Sequence, residues 1–185
     1  LRPREVELCD ELARLGYIGV AVDMFAGSAT DLVPRAIWLA YNAALKPDAN
    51  WGVPAIDAVV SKLEREEDWA DTHRMCVAGF CIGGGAALRY ADAHPEKAPA
   101  VAVFYGRPLD TVAGLKGPVL GIFGSEDKQF PPAQVDAFEA LLRDADVPVQ
   151  MHRCEGEGHA FVSDLSAIRA GGSPQKAWKL FTDFL

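Results

Sequence analysis

Met75-Cys-Val-Ala-Gly-Phe-Cys-Ile-Gly-Gly-Gly85 is the stretch of sequence that decides the fold class of this chain. Its first half, Met75–Phe80, is a short and almost wholly apolar run, which is typical of a buried strand. The residues after Cys81 are small and begin a helical pattern that continues to about Ala93. The stretch therefore predicts a strand that passes directly into a helix, which is the first half of a βαβ unit.

The rest of the chain repeats this alternation between strand-like and helix-like patterns. Apolar residues at helical spacing predict helices near residues 6–13, 36–43, 53–63, 83–93, 135–142 and 177–185, the second of them broken by Pro47. Strands that alternate with helices form βαβ units, so we predict an α/β fold, a mostly parallel sheet with helices on both faces. Short apolar runs predict its five strands, at Tyr17–Val22, Met75–Phe80, Ala98–Tyr105, Pro118–Phe123 and Val147–Arg153.

Length and composition limit the kinds of protein that this chain can be. Its 185 residues, 50% of them apolar and 24% charged, suit one soluble domain over residues 1–185. A net charge of −8 argues against nucleic acid as a partner, and no apolar run is long enough to span a membrane. The four cysteines are widely spread, so we expect reduced thiols and a cytoplasmic location.

Cys81 lies at the predicted junction of strand and helix, between Gly79 and Gly83. Gly-x-Cys-x-Gly at such a junction is the pattern of a nucleophile elbow with cysteine in place of serine. The sharp turn would hold the thiol above the sheet with unfavourable backbone angles, and the two glycines would prevent clashes. The following helix would favour the thiolate and aim the backbone N–H of Ile82 at a developing oxyanion.

Two other interpretations of these residues stay open. Cys81 can be an ordinary buried cysteine whose neighbouring glycines mark a tight βα turn. The glycines can also form a phosphate-binding loop, although the Lys-Ser/Thr pair of a nucleotide-binding P-loop is absent.

A cysteine nucleophile requires a base, and the base requires an orienting carboxylate. The loop after the fourth predicted strand contains Glu126 and Asp127, which are rival candidates for the acid. The loop after the fifth strand contains His159 among glycine and small residues, which suits a ring exposed to a cleft. Both loops follow the carboxyl ends of strands, where ligands bind in parallel sheets.

The remaining histidines and cysteines support weaker hypotheses. His152, Cys154 and His159 form a conceivable metal site, because residues two apart in a strand share a face, but no fourth ligand is evident. Cys9 lies on the apolar stripe of the first helix and Cys76 lies inside a buried strand. We predict that these two cysteines are structural thiols.

The motifs together resemble the dienelactone hydrolase family of α/β-hydrolases. The resemblance spans nearly the whole chain, from about Leu12 to Leu185, and the order of the motifs makes it specific. The residues that carry it are Leu15–Phe25, Gly79–Gly84, Phe104–Gly106, Gly124-x-x-Asp127-x-x-x-Pro131 and Gly158-His-Ala-Phe161.

The resemblance implies a Cys-His-Asp triad formed by Cys81, His159 and Asp127. Because the position four residues before Pro131 matches the acid of the family, we predict that Asp127, not Glu126, faces His159. The resemblance also implies hydrolysis of esters or lactones with neither a metal nor an organic cofactor. Contact with the substrate is predicted for Phe80, Tyr105 and Phe161.

This sequence departs from the family in two ways. The family has further strands before the position where this chain begins, and that part carries a glutamate near the nucleophile and a second oxyanion N–H. Since Leu1 is not a methionine, we expect an N-terminally incomplete α/β-hydrolase domain, a fragment or a processed product. Dienelactone hydrolases also carry an arginine shortly after the catalytic histidine, whereas here none follows until Arg169. The resemblance therefore does not predict dienelactone itself as the substrate.

The sequence thus predicts a hydrolase that cleaves a small-molecule ester or lactone through a thioester on Cys81. We expect a monomer that binds neither nucleic acid nor a membrane. The alternative is a hydrolase-like domain without turnover that binds a small molecule or senses oxidation through Cys81.

Overall fold

The described residues form a sheet of four parallel strands, in the spatial order β1-β2-β3-β4. The computed structural model describes residues 3–25, 27–28, 30, 32–41, 52–66, 69–97 and 99–185. The strands are β1 (Cys76–Phe80), β2 (Ala100–Phe104), β3 (Val119–Gly124) and β4 (Val149–Cys154). The described residues also form the helices α1 (Pro3–Arg14), α2 (Val33–Ala40), α3 (Gly52–Glu66), α4 (Ile82–Ala93), α5 (Pro132–Asp144), α6 (Leu165–Ala170) and α7 (Gly172–Phe184).

Helices cover both faces of the sheet, as the sequence predicts. Val101 and Val103 of β2 point into a core that includes residues of α4 and α5. Ala102 and Phe104 of the same strand point into a second core with residues of α1, α6 and α7. Since both faces of β2 and β3 are buried, these strands read as continuous apolar runs rather than as alternating patterns.

The predicted first strand, Tyr17–Val22, is not a strand in this structure. A strand exists through a ladder of hydrogen bonds, and the described residues offer this segment no partner, because β1 is paired only with β2. Ile18 and Val20 are about half exposed, while Gly19 lies tightly against Cys9 of α1. The apolar composition therefore indicated an extended segment but not its pairing.

Other differences from the sequence predictions concern the limits of elements. Helix α6 was not predicted, because it is only six residues long and follows an irregular loop. Ala43 and Pro47, predicted to lie at the end of the second helix, are outside the described residues, as is Ala98 at the predicted start of β2. Within the described part of the chain, the helices are too short or too polar to cross a membrane.

Tyr90 presents an unusual polar group in the core, and this leads to a stability prediction. Its side chain is fully buried, and its hydroxyl has no hydrogen-bond partner among the described residues. A buried hydroxyl without a partner costs free energy. We expect Tyr90→Phe to raise the free energy of unfolding at pH 7 by about 1 kcal/mol, as measured by urea denaturation.

The same substitution should change the stability at alkaline pH. Burial raises the pKa of Tyr90 to about 12, whereas an unfolded tyrosine titrates near 10. The folded state therefore holds its proton more tightly, and this contribution is lost as the pH rises from about 10 to 12. Tyr90→Phe should reduce that loss.

For the stability at pH 7, the matched control is Tyr105→Phe. This variant removes a hydroxyl that donates a hydrogen bond to the Val162 carbonyl oxygen, so it should lower the free energy of unfolding at pH 7. Equal destabilisation by both variants at pH 7 would refute the account of Tyr90.

Candidate active site

Cys81 is the single residue between β1 and α4, and its backbone is strained. Its φ is 53° and its ψ is −115°, a combination that non-glycine residues rarely adopt. Backbone hydrogen bonds hold the turn: the Cys81 N–H donates to the Phe104 carbonyl oxygen at 2.9 Å, and the N–H groups of Gly84 and Gly85 donate to the Cys81 carbonyl oxygen at 3.0 and 3.3 Å. The predicted elbow geometry is therefore confirmed.

The two glycines that flank Cys81 are not equivalent. A Cβ atom on Gly79 would lie 2.1 Å from the carbonyl carbon and oxygen of Gly83, whereas a Cβ on Gly83 would meet no atom within 4 Å. The expectation that both glycines prevent clashes is thus correct only for Gly79. The turn brings β1 and the first turn of α4 into backbone contact at Gly79, and Gly83 lies on the open side of the helix.

This difference predicts opposite results for two alanine substitutions. Gly79→Ala should lower the free energy of unfolding by roughly 3 kcal/mol, because rigid backbone atoms must move to admit the methyl group. Gly83→Ala should be neutral or stabilising by up to about 1 kcal/mol, since alanine favours the helix. Denaturant unfolding of both variants checks this prediction, which would be contradicted by similar free energies of unfolding.

Cys81, His159 and Asp127 form a continuous chain of polar contacts. The His159 Nε2 lies 3.2 Å from the Cys81 Sγ, and the His159 Nδ1 lies 2.8 Å from the Asp127 Oδ2. The Asp127 side chain is fully buried and that of His159 is 16% exposed. A proton on Nδ1 that is donated to Asp127 leaves the lone pair of Nε2 facing the thiol.

The loop after β3 selects Asp127 rather than Glu126 for this contact. The Asp127 Oδ1 accepts hydrogen bonds from the backbone N–H groups of Gln129 and Phe130, at 2.8 and 3.2 Å. These bonds fix the carboxylate and leave Oδ2 for His159. Glu126 is exposed, and its backbone N–H donates to the Glu157 carbonyl oxygen at 2.9 Å. The prediction that Asp127 faces the histidine is confirmed.

The electrostatic surroundings of Cys81 favour the neutral thiol. Burial raises the pKa of the Cys81 thiol, and the charge of Asp127 raises it further. The Ile82 N–H, which forms a hydrogen bond with the sulfur, and the charge of Arg4 lower it without cancelling the effect of burial. The start of the helix thus favours the thiolate, as the sequence predicts, but burial outweighs this effect, so the proposed attack relies on a base to remove the proton.

Aromatic rings surround the histidine. Tyr105 is only 1% exposed, its hydroxyl donates to the Val162 carbonyl oxygen at 2.8 Å, and its ring centroid lies 5.3 Å from that of His159. Phe161 and Tyr105 form an edge-to-face pair with centroids 5.5 Å apart, and Phe80 stacks on Phe104 of β2 at 4.4 Å. The structure brings Phe80, Tyr105 and Phe161 close to the cysteine or the histidine, and their contact with a substrate stays a prediction.

Two residues near the site were not found by sequence reasoning. The Phe130 ring lies 5.7 Å from that of His159. The Arg4 guanidinium carbon lies 4.5 Å above the Phe80 ring, and its Nη2 donates to the Val162 carbonyl oxygen at 3.3 Å. Arg4 and Val162 are 158 residues apart in sequence, and no local pattern marks their contact.

The structure shows the surroundings of the other cysteines and tests the hypothetical metal site. Burial raises the pKa of Cys76 to about 12 and also raises the pKa values of Cys9 and Cys154, and all four cysteines are free thiols. The structural role predicted for Cys9 and Cys76 agrees with these environments. Among the described residues, no group of three or more histidine, cysteine or acidic side chains could hold a metal, so His152, Cys154 and His159 do not assemble one.

Two curated bacterial relatives of this chain share the provisional name carboxymethylenebutenolidase. A protein of Escherichia coli (strain K12), named provisionally as a carboxymethylenebutenolidase, is 27% identical over 94% of this chain and 68% of its own length. A protein of Methylorubrum extorquens with the same provisional name is 30% identical over 96% of this chain and 65% of its own length. The chain thus spans about two thirds of the length of these curated relatives.

A solved structure shows that the fold is shared. The structure of a dienelactone hydrolase-like promiscuous phosphotriesterase from metagenomic libraries superposes with a TM-score of 0.79 at 20% identity, covering 99% of this chain and 80% of that one. This likeness confirms the predicted α/β-hydrolase fold. The family model for the dienelactone hydrolase family matches residues 2–185. This chain therefore belongs to the dienelactone hydrolase family, whose members are hydrolases that act on ester and lactone bonds.

Proposed function

We propose that the protein hydrolyses a small-molecule ester or lactone through a thioester on Cys81. The observation that carries this proposal is the contact chain from the Cys81 Sγ through His159 to the buried Asp127, at a strained junction of strand and helix. A nucleophile in contact with a base, and a base oriented by a carboxylate, is the arrangement that acyl transfer requires.

The first half of the reaction forms the acyl-enzyme. His159 Nε2 takes the Cys81 proton as the sulfur attacks the ester carbonyl carbon, and a C–S bond forms. The carbonyl oxygen becomes an oxyanion, to which the Ile82 N–H donates a hydrogen bond. The intermediate then expels the alkoxide, which receives the proton from His159. Asp127 stabilises the imidazolium while it exists.

The second half of the reaction releases the acid. His159 takes a proton from a water molecule, and the resulting hydroxide attacks the thioester carbonyl carbon. The C–S bond breaks, and the sulfur recovers its proton from the imidazolium. Because burial raises the pKa of Cys81 and the His159 Nε2 lies 3.2 Å from its sulfur, general-base help is part of the attack itself.

The names of relatives inform the proposed substrate class. Carboxymethylenebutenolidase, the name given to a relative from Rhodococcus opacus and provisionally to others, denotes an enzyme that opens a lactone. We extend to this chain only the ester or lactone bond. We further propose that the protein acts as a monomer and that it is located in the cytoplasm. The four free thiols suit the reducing conditions of that compartment.

Thiol redox sensing, the alternative function, has less support. Redox-sensor cysteines combine a low pKa with solvent access. The pKa of Cys81 is raised by burial, and Cys81 contacts a base that acyl transfer requires and oxidation does not.

Turnover of a substrate panel tests the proposal. The chain should hydrolyse p-nitrophenyl acetate and small lactones with many turnovers per protein molecule, and iodoacetamide should abolish this activity. Release of a single equivalent of p-nitrophenol without further turnover would favour a binding domain. Activity that survives complete alkylation of Cys81 would remove the cysteine from the mechanism.

A further inference from the structure

Arg4, in the first turn of α1, contacts both halves of the active site. We propose that Arg4 is a positioning residue that ties the nucleophile elbow to the histidine loop and supplies a positive charge beside Cys81. The elbow here means residues 80–82, and the histidine loop means residues 155–164, between β4 and α6. The catalytic consequence rests on the proposed function, but the contacts and the effect of the charge on the thiol do not.

The first contact of Arg4 is with the elbow. Its guanidinium carbon lies 4.5 Å above the ring of Phe80, the residue directly before Cys81. The Phe80 ring also stacks on Phe104 of β2, with the centroids 4.4 Å apart, and its centroid lies 6.2 Å from that of Tyr105. The guanidinium and Phe104 thus both restrain the Phe80 ring, and a cation over an aromatic ring is attracted to it.

The second contact of Arg4 is with the histidine loop. The Arg4 Nη2 donates to the Val162 carbonyl oxygen at 3.3 Å, and the Tyr105 hydroxyl donates to the same oxygen at 2.8 Å. Val162 is three residues after His159, and the Tyr105 ring packs against the imidazole at 5.3 Å. One carbonyl oxygen therefore joins α1 and the end of β2 to the loop that carries the histidine.

The charge of Arg4 is not neutralised by an ion pair within the described part of the chain. Its Nε is buried and has no hydrogen-bond partner among the described residues. Such a charge acts on nearby titrating groups more strongly than an exposed, paired arginine would.

The groups that face Cys81 come from five elements. Asp127 and His159 follow β3 and β4, Tyr105 follows β2, the Ile82 N–H begins α4, and Arg4 lies on α1. Burial has the largest effect on the pKa of Cys81 and raises it. The Ile82 N–H and the charge of Arg4 lower this pKa, whereas the charge of Asp127 raises it. Arg4 is the cationic side chain in this set that remains charged whatever the protonation of His159.

Alkylation of Cys81 as a function of pH tests this role without requiring turnover. The rate of carboxamidomethylation of the Cys81 peptide should be measured from about pH 6 to pH 10 by mass spectrometry. In Arg4→Met, the apparent pKa of the thiol should rise by about half a unit to one unit, so that alkylation near neutral pH slows about three- to tenfold. Arg4→Lys keeps the positive charge that acts on the thiol and should remain within about twofold of the wild-type rate.

A matched control comes from the same helix. Arg14 is exposed and forms an ion pair with Glu11 at 2.5 Å, so Arg14→Met should leave the Cys81 profile unchanged. A wild-type profile in Arg4→Met, or an Arg4→Lys profile equal to that of Arg4→Met, would overturn the proposal. If the expected profiles appear in a protein without esterase activity, the proposed function fails and the role of Arg4 stands.

Discussion

Cys81→Ser is expected to lower kcat/KM for a p-nitrophenyl ester by about a thousandfold or more while the protein remains folded. A serine hydroxyl is much less acidic than a thiol, so its proton must be removed more completely during attack. His159 lies 3.2 Å from the Cys81 sulfur, and the smaller oxygen would lie farther from Nε2 unless the ring moves. The loss should therefore appear in kcat, which steady-state kinetics would show.

The stability of this variant should change little. The elbow geometry depends on Gly79 and on backbone hydrogen bonds of Cys81, none of which involves the sulfur. The free energy of unfolding should stay within about 1 kcal/mol of wild type. Cys9→Ser is the control, since this thiol lies on α1 among acidic neighbours and should not affect kcat/KM. Wild-type activity in Cys81→Ser would remove the cysteine from the mechanism.

Asp127→Asn is expected to lower kcat by about 10²- to 10⁴-fold. The asparagine oxygen can still accept the N–H groups of Gln129 and Phe130, which would turn its amide N–H₂ toward the His159 Nδ1. A donor in that place favours the tautomer with the proton on Nε2, which cannot accept the Cys81 proton. The fold should remain intact because the loop keeps its two hydrogen bonds.

Glu126→Gln is the matched control for Asp127→Asn. It removes the neighbouring carboxylate, which is exposed, and should change kcat by less than about twofold. Steady-state kinetics with the same ester compares the two variants. Equal losses of kcat in both, or a greater loss in Glu126→Gln, would contradict the assignment of the acid.

The sequence was sufficient for the parts of the site that local patterns encode. Cys81 lies in a local pattern of strand, compact turn and helix N-terminus. Because such a short connection leaves the backbone of Cys81 few conformations, the pattern alone predicts the geometry of the turn. Asp127 and His159 lie in loops at the carboxyl ends of neighbouring parallel strands, so the topology brings them together once the strand order is known. The family resemblance singled out Asp127 over Glu126, and the N–H groups of Gln129 and Phe130 show the physical basis.

The features that sequence reasoning missed depend on distant partners or on burial. Tyr17–Val22 has the composition of a strand, but pairing depends on an edge that no local pattern specifies. The position of Arg4 above Phe80 results from the packing of α1 against the sheet. The raised pKa of Cys81 results from burial, which outweighs the helix N-terminus and the charge of Arg4, and the extent of burial requires coordinates.

The central claim is that the Cys81 sulfur becomes acylated during turnover, and mass spectrometry of the quenched reaction tests it most directly. The wild-type protein should be mixed with p-nitrophenyl acetate, acid-quenched at early times and digested. Our account predicts one acetyl group per molecule on the Cys81 peptide, which neutral hydroxylamine removes as it does a thioester. The adduct should form during the burst of p-nitrophenol release and disappear when the substrate is exhausted. Sustained hydrolysis with an unmodified Cys81 peptide at every time point would contradict the account.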